Sequence, residues 1–314
     1  MIRISAAGAG MNRSRSVKNP CFFVVGAPKC GTTALCNYLN QHPAIFIPDI
    51  KEPNFFGKDL SGIKAASDMR EYLSLFRDAG TRISGEGSTW SLYSRTAARE
   101  IYEFNPHARI IIMLRNPADV LYSLHNQMLY DGNNENIEDF AEALRAEADR
   151  RKGLRIPKTC KRREALLYSE VVRFASQVER YLSVFGRHNV HIIIYDDFKA
   201  DSLASYRKVL RFLGVDDTFI PEIKVINPTK RVRSRMLRRF YKDPPVWTRA
   251  IARVLFPREL RRGISSGLRY LNTRHLQRLP MDHEIRRELN TMFSTEVANL
   301  SEILGRDLTD WSKS

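Results

Sequence analysis

The stretch Phe22-Phe23-Val24-Val25-Gly26-Ala27-Pro28-Lys29-Cys30-Gly31-Thr32-Thr33 decides the fold. Its first four residues are apolar throughout, the pattern of a strand covered on both faces. Gly26 and Gly31 bracket a short loop, and the two threonines open a segment, 32–40, with apolar residues at helical spacing. A strand, a glycine-bounded loop and a helix in that order aim successive backbone N–H groups at one point, reinforced by the positive end of the helix dipole. An anion belongs there; the plain alternative is a turn that merely presents a surface lysine.

Outward from this stretch, β-rich runs recur at 82–84, 109–114 and 190–195, and helical periodicity at 117–129, 165–185, 203–213 and 284–304. Strands alternating with helix-length segments predict an α/β fold, a three-layer α/β/α sandwich around a central parallel sheet. In such sheets ligands bind outside the carboxyl ends of the strands, which is where the loop after Val25 and the loop after Leu114 fall. Two further segments, the Asn-rich 131–138 and the strongly basic 152–163, read as loops either beside a site or at the surface.

A chain of 314 residues with 43% hydrophobic content can bury a full core. The expected organisation is a disordered leader over 1–19 and one domain over 20–314, with a basic, helical C-terminal part from about 230. The leader lacks the apolar centre of a signal peptide and no run approaches the roughly 18 residues of a membrane span. Four cysteines without CxxC spacing suggest a reducing, cytoplasmic setting and a soluble protein. The net charge of +16 favours polyanionic partners, and much of the excess sits at 230–239 and 258–262. Those clusters are either a solvated helix face or a surface for peripheral contact with anionic membrane; no nucleic-acid motif accompanies them.

The glycine spacing nearly matches the triphosphate-binding pattern GxxxxGK[ST], but Thr32 stands where those enzymes need lysine, and the lysine appears three positions earlier as Lys29. A different leaving group is implied, and no divalent metal is required. Cys30, beside that lysine at a helix start, is either an activated thiolate or a space-filling residue. The second apolar strand ends in Leu114-Arg115-Asn116-Pro117, with Ser123 two turns into the next helix. Arg115 and Ser123 can together grip a second phosphate, Arg115 offering a planar fork of donors; a structural salt bridge is its other reading.

Taken together, Pro28-Lys29-Cys30-Gly31-Thr32-Thr33-Ala34-Leu35, Lys51-Glu52-Pro53-Asn54-Phe55-Phe56 and Leu114-Arg115-Asn116-Pro117 with Ser123 resemble the sulfotransferases that use 3′-phosphoadenosine 5′-phosphosulfate (PAPS). The motifs are closest to the carbohydrate and heparan sulfate branch and its bacterial relatives. The similarity runs from residue 20 to about 230, through Ile194-Tyr195-Asp196-Asp197-Phe198 and Leu210-Arg211-Phe212-Leu213-Gly214-Val215, with a family-like ending at 303–311. The resemblance implies an enzyme that takes PAPS as donor, releases 3′,5′-ADP, and sulfates a hydroxyl or amine of a carbohydrate, glycolipid or natural product. It assigns the 5′-phosphosulfate to Lys29, Cys30, Gly31, Thr32, Thr33 and Ala34, and the 3′-phosphate to Arg115 and Ser123, with Tyr195 nearby. Lys230 and Arg231 stand where cytosolic members carry an Arg-Lys-Gly segment.

Sulfuryl transfer needs a group to take the acceptor's proton. Glu52 resembles the glutamate base of heparan sulfate sulfotransferases, while the histidine segment of the aryl and steroid enzymes is missing here. His42 and His125 are the other candidates, and His42 reads equally as a helix-end residue. The plain alternative for Glu52 is an ion pair with Lys51 or Lys58, and Lys51 is itself a substrate-side candidate, expected to contact the donor or a sulfate oxygen. The segment Glu86-Gly87-Ser88-Thr89-Trp90-Ser91-Leu92-Tyr93 resembles the Glu-x-(Ser/Thr)-Pro-x-Tyr stretch of carbohydrate sulfotransferases without its proline, which makes Glu86, Trp90 and Tyr93 acceptor-binding candidates. The competing functions are a P-loop-type kinase and a non-catalytic module that binds nucleic acid or anionic membrane.

Overall fold

Five parallel strands form the central sheet: β1 (Phe22–Gly26), β2 (Ile45–Phe46), β3 (Ile83–Glu86), β4 (Arg109–Leu114) and β5 (Val190–Ile194), in the order β2-β3-β1-β4-β5. They come from a computed structural model that describes residues 19–313 apart from 63, 133, 224–229, 233–272 and 276–279. The expected leader, save residue 19, and the basic clusters beyond residue 232 lie outside the described residues. Every residue of β1 is buried, and so is all of β4 except Arg109, as their unbroken apolar sequences require when helices cover both faces.

Among the described residues the helices are α1 (Thr32–Asn40), α2 (Met69–Ser74), α3 (Ala97–Phe104), α4 (Pro117–Asp131), α5 (Phe140–Arg145), α6 (Glu147–Arg151), α7 (Tyr168–Val171), α8 (Phe174–Phe185), α9 (Tyr195–Ala200), α10 (Ser202–Leu213), α11 (His283–Met292) and α12 (Ser294–Leu304). Helix α1 packs on β1 and α10, while α8 packs on β4 and β5 and against α3 and α12. Local chemistry sets the key boundaries. Pro117 begins α4, where its missing N–H costs nothing, and the Asn116 side chain accepts from the Ala118 N–H at 2.9 Å. Asp201 caps α10 by accepting from the Ala204 N–H at 2.8 Å. None of the helices among the described residues is long and apolar enough to cross a membrane.

Several expectations are corrected. The continuous helix expected over 165–185 is a 3₁₀ turn (Arg163–Leu166) followed by α7 and α8, broken at Leu167 and again at Val172 and Arg173. The Gln177 amide donates to the carbonyls of Glu170 and Val171, at 3.1 and 3.3 Å, and so satisfies groups that the second break leaves open. The helix expected over 284–304 divides at Phe293 into α11 and α12. Tyr195 opens α9 instead of ending a strand. The C-terminal part, expected to be helical from 230, also contains an antiparallel pair, β6 (Lys230–Val232) with β7 (Thr273–His275).

The end of the chain returns to the sheet's carboxyl edge. Trp311 Nε1 donates to Asp196 at 2.9 Å, Arg306 pairs with Asp197, and the Asn116 amide donates to the Trp311 carbonyl at 2.8 Å. Residues at the starts of α4 and α9 are thereby fixed by residues 109 to 195 positions away in the chain.

The tightest approach within the sheet is at Gly85, opposite Phe22, where a Cβ would stand 2.5 Å from three ring carbons of that fully buried phenylalanine. Gly85→Ala is expected to destabilise the protein by about 1–3 kcal/mol through overpacking, read as a lowered urea midpoint at unchanged m-value.

Candidate active site

The strand order places a topological switch beside β1: the chain leaves β1 toward β2 and leaves β4 toward β5, on opposite sides. The loops that follow β1 and β4 therefore open into one crevice. The Ala27 N–H donates to the Met113 carbonyl at 2.7 Å and ties the first loop to the end of β4.

Within the first loop Lys29 (φ 67°) and Gly31 (φ 91°) both adopt left-handed backbone. At Gly31 glycine is needed twice over, because a Cβ would also sit 3.0 Å from the Tyr195 ring. The turn delivers the chain into α1 with no side-chain cap and no acid in the first turn, so the first N–H groups have no intrahelical partner. Lys29 Nζ donates to Gln127 Oε1 at 3.2 Å, and Gln127 in turn donates to Asp131 at 3.1 Å. The Cys30 thiol is fully buried, and burial pushes its pKa up to about 12 against the pull of Arg115 and Lys29. Its thiol donates to the Pro28 carbonyl at 3.6 Å, within the loop itself.

At the second loop the Arg115 guanidinium lies 4.7 Å from the centroid of the Tyr195 ring and donates to Asp119 at 3.0 Å. Arg286, from α11, donates to the other oxygen of Asp119 at 2.8 Å. Burial works to raise the Asp119 pKa, but Arg115 and Arg286 together hold it below the usual range. Arg115 Nε is buried with no hydrogen-bond partner among the described residues. Ser123 is buried on α4 and faces the same space. Lys230 and Arg231 lie in β6, which runs beside α4.

Both loops open into a cleft of about 1070 Å³ lined by Lys29, Gly31, Thr32, Thr33, Ala34, Arg115, Ser123 and Tyr195, and on other walls by Glu52, Thr89, Trp90, Gln127 and Arg162. Glu52 Oε1 accepts from Lys51 Nζ at 2.9 Å and Oε2 from Thr89 Oγ1 at 3.4 Å. Its loop is pinned to the segment after β3 by Gly87 N–H donating to the Lys51 carbonyl and Asn54 N–H to Ser88 Oγ, both at 2.9 Å. Lys51 stands behind Glu52, outside the cleft lining. Burial acts against its ammonium, but Cys36, Glu52 and Glu86 outweigh it and raise the pKa above the ordinary lysine value.

Three buried candidates lie elsewhere. His42 is buried, its Nδ1 accepting from the Ala44 N–H at 3.1 Å and its Nε2–H donating to the Asp216 carbonyl at 3.0 Å, so it fixes a turn outside the cleft. His125 is buried against Phe140 and donates to the Ile137 carbonyl at 2.9 Å; burial lowers its pKa. Glu86 is also buried, accepting from Ser88 Oγ at 2.5 Å and Tyr72 OH at 3.4 Å, which places it beneath the cleft instead of within reach of an acceptor. Tyr93 sits outside the lining with its ring edge-on to Trp90, which does line the cleft. Sequence reasoning missed Thr89, Gln127 and Arg162. Gln127 lies one helical turn beyond Ser123 on α4, a spacing that could have found it.

Burial raises the Glu86 pKa from 4.5 to about 7, against the pull of its two hydroxyl donors. The folded state thus holds this proton more tightly than the unfolded chain does. The stability it contributes is complete below pH 4.5 and is lost as pH rises through about 7. Glu86→Gln is expected to remove this loss, which runs at up to ~1.4 kcal/mol per pH unit in that window. Urea midpoints of both proteins between pH 4.5 and 8 check it.

Comparison with known proteins supplies the family. Residues 19–241, more than half of the chain, match the model of the sulfotransferase domain. Over 71% of its length the chain is 24% identical to carbohydrate sulfotransferase 15 of Homo sapiens, covering 51% of that protein. Over 62% of its length it is 24% identical to heparan sulfate glucosamine 3-O-sulfotransferase 5 of Mus musculus, covering 54%. The chain spans about half the length of the curated relatives it matches. A crystal structure of a sulfotransferase from Alicyclobacillus acidocaldarius is similar over 94% of this chain and 100% of that one, with a TM-score of 0.70 and 28% identity. With a glycine-bounded anion loop, a second cationic loop and a matching architecture, this chain belongs to the sulfotransferase family.

Proposed function

We propose that the protein transfers a sulfuryl group from PAPS to a hydroxyl or amine of a carbohydrate or related small-molecule acceptor. The observation that carries this reading is that the Lys29 loop, the Arg115–Ser123 pair and Glu52 line one cleft. The donor set fits the donor: an uncapped helix start with an adjacent ammonium for a phosphosulfate, and a separate guanidinium with a spare buried Nε–H for a 3′-phosphate. ATP has no 3′-phosphate for that second group, and Thr32 replaces the lysine a triphosphate loop needs, so the kinase reading is not favoured.

When bound, PAPS supplies the sulfuryl group and a 5′-phosphate leaving group. The N–H groups of Gly31, Thr32 and Thr33 hold that phosphate, and Arg115 and Ser123 hold the 3′-phosphate. Glu52 takes the proton from the acceptor oxygen or nitrogen as that atom bonds to sulfur. The bond from sulfur to the phosphate oxygen breaks, its electron pair stays on that oxygen, and the Lys29 ammonium stabilises the charge. Gln127 keeps Lys29 in place and Lys51 keeps Glu52 in place. Lys230 and Arg231, beside α4, add positive charge near the 3′-phosphate, and Trp90 offers an apolar face to a sugar ring. The names of the matched relatives support a carbohydrate acceptor.

Calorimetry with 3′,5′-ADP and with ATP plus Mg²⁺ tests the donor: 3′,5′-ADP is expected to bind more tightly, and tighter ATP binding would sink the reading. Lys29→Ala is expected to lower the chemical step on the order of 10²–10³-fold with a much smaller change in PAPS affinity. Glu52→Gln should abolish transfer from labelled PAPS and leave 3′,5′-ADP binding intact; retained turnover removes Glu52 as the base.

A further inference from the structure

The basic segment 152–163 is used neither by the sheet nor by the donor side of the cleft. Lys152, Arg155, Lys158 and Lys161 are exposed, as a solvated loop requires. Arg162 is different. It is half-buried and lines the cleft with Glu52 and Trp90. Its guanidinium carbon lies 5.1 Å from the Trp90 ring centroid. Gly62 approaches it closely, at a point where a Cβ would stand 3.0 Å from Nη2. An arginine set over an aromatic face and backed by main chain is held in one orientation, its fork ready for a planar or tetrahedral oxyanion.

What the guanidinium lacks is that oxyanion. Nη1 is buried with no hydrogen-bond partner among the described residues. The nearby acids are committed elsewhere: Glu164 accepts from the N–H and Oγ of Ser61 at 2.9 and 2.6 Å, and Glu52 accepts from Lys51. Burial lowers the Arg162 pKa while Glu164 and Glu52 raise it, and an arginine remains charged under any such shift. A buried, charged donor without an acceptor is costly, and a ligand that supplies one removes the cost.

We propose that Arg162 recognises the acceptor, and that the acceptor carries an oxyanion, a carboxylate or a sulfate ester, near the group that receives the sulfuryl. This rests on the sulfotransferase reading of the cleft. The donor's phosphates are accounted for at Lys29, Arg115 and Ser123, so the charge met by Arg162 belongs to the second substrate.

The test uses three probes titrated calorimetrically into the full chain, with saturating 3′,5′-ADP and again without it. They are a disaccharide ending in glucuronate, its carboxyl-reduced form ending in glucose, and the reduced form bearing one sulfate ester. The charged probes are expected to bind on the order of 10- to 100-fold more tightly than the neutral one, and the tighter of the two identifies the oxyanion. Arg162→Gln should bring them to the neutral probe's affinity, and Arg162→Lys should keep part of the difference because the charge stays and the fork is lost. Equal binding of charged and neutral probes to the unaltered protein, including no binding of either, overturns the proposal, and so does a preference that survives Arg162→Gln. The first comparison needs no variant to fold. Failure of 3′,5′-ADP to bind overturns the donor reading and leaves the charged-against-neutral comparison readable without nucleotide.

Discussion

The parallel pairing of β1 with β4, closed at its carboxyl end by the Ala27 N–H bond to the Met113 carbonyl, is the constraint on which the rest of the molecule depends. Two strands that are each a local sequence feature become a site only when they lie side by side. Their following loops then carry two cation-bearing, helix-initiating turns to the same edge. The register shift between Val24 and Gly26 sits just before the loop and re-aims its backbone. Strand burial drives the pairing and the sheet's topology supplies the crevice, so hydrophobic packing and anion chemistry meet at the same few residues.

Gathering positive charge at one edge requires restraint by other parts of the chain. Arg115 is not simply left pointing at a phosphate: Tyr195 lies against its face, and Asp119, shared with Arg286, takes one end of its fork. Asp119 cannot neutralise both arginines, so the cluster keeps a net positive charge while its geometry is fixed. The C-terminal segment reinforces the arrangement through Trp311 and Arg306, which bind the acids at the start of α9. A part of the sequence that contributes little to the sheet thus determines how rigidly the second loop is held.

The two loops after β1 and β4 were legible because their signals are short-ranged. Gly31, the two threonines and Pro117 each act through backbone chemistry within a few residues, and α1 spans the residues that its periodicity predicts. Strand β2, with two residues, is too short to carry a period, and it exists because β3 offers an edge to pair with. The break between α7 and α8 depends on the Gln177 side chain folding back on carbonyls, which no apolar pattern reports. Glu86 misled for a related reason. Its candidacy rests on a resemblance of the segment 86–93, and a resemblance does not report that Ser88 and Tyr72 satisfy the carboxylate in a buried position.

The part of the cleft proposed for the acceptor is built on a different principle, and this limits what any donor motif can reveal. Its walls come from the Glu52 loop, the turn after β3, the middle of α4 and the segment before Arg163, none of them adjacent in sequence. Each is held by side-chain contacts: Lys51 to Glu52, Asn54 to Ser88, Arg162 to Trp90. Such contacts can be replaced one at a time without disturbing β1 or β4. On the proposed reading the sheet fixes where the donor sits, while the charge and shape offered to the acceptor depend on residues the sheet does not constrain. Arg162 shows the consequence: within a run of basic residues it is distinguished only by facing the cleft instead of solvent, a difference set by Trp90 and Gly62. Specificity in this fold is thus a property of tertiary contacts, and it has to be read from which cations those contacts leave unneutralised.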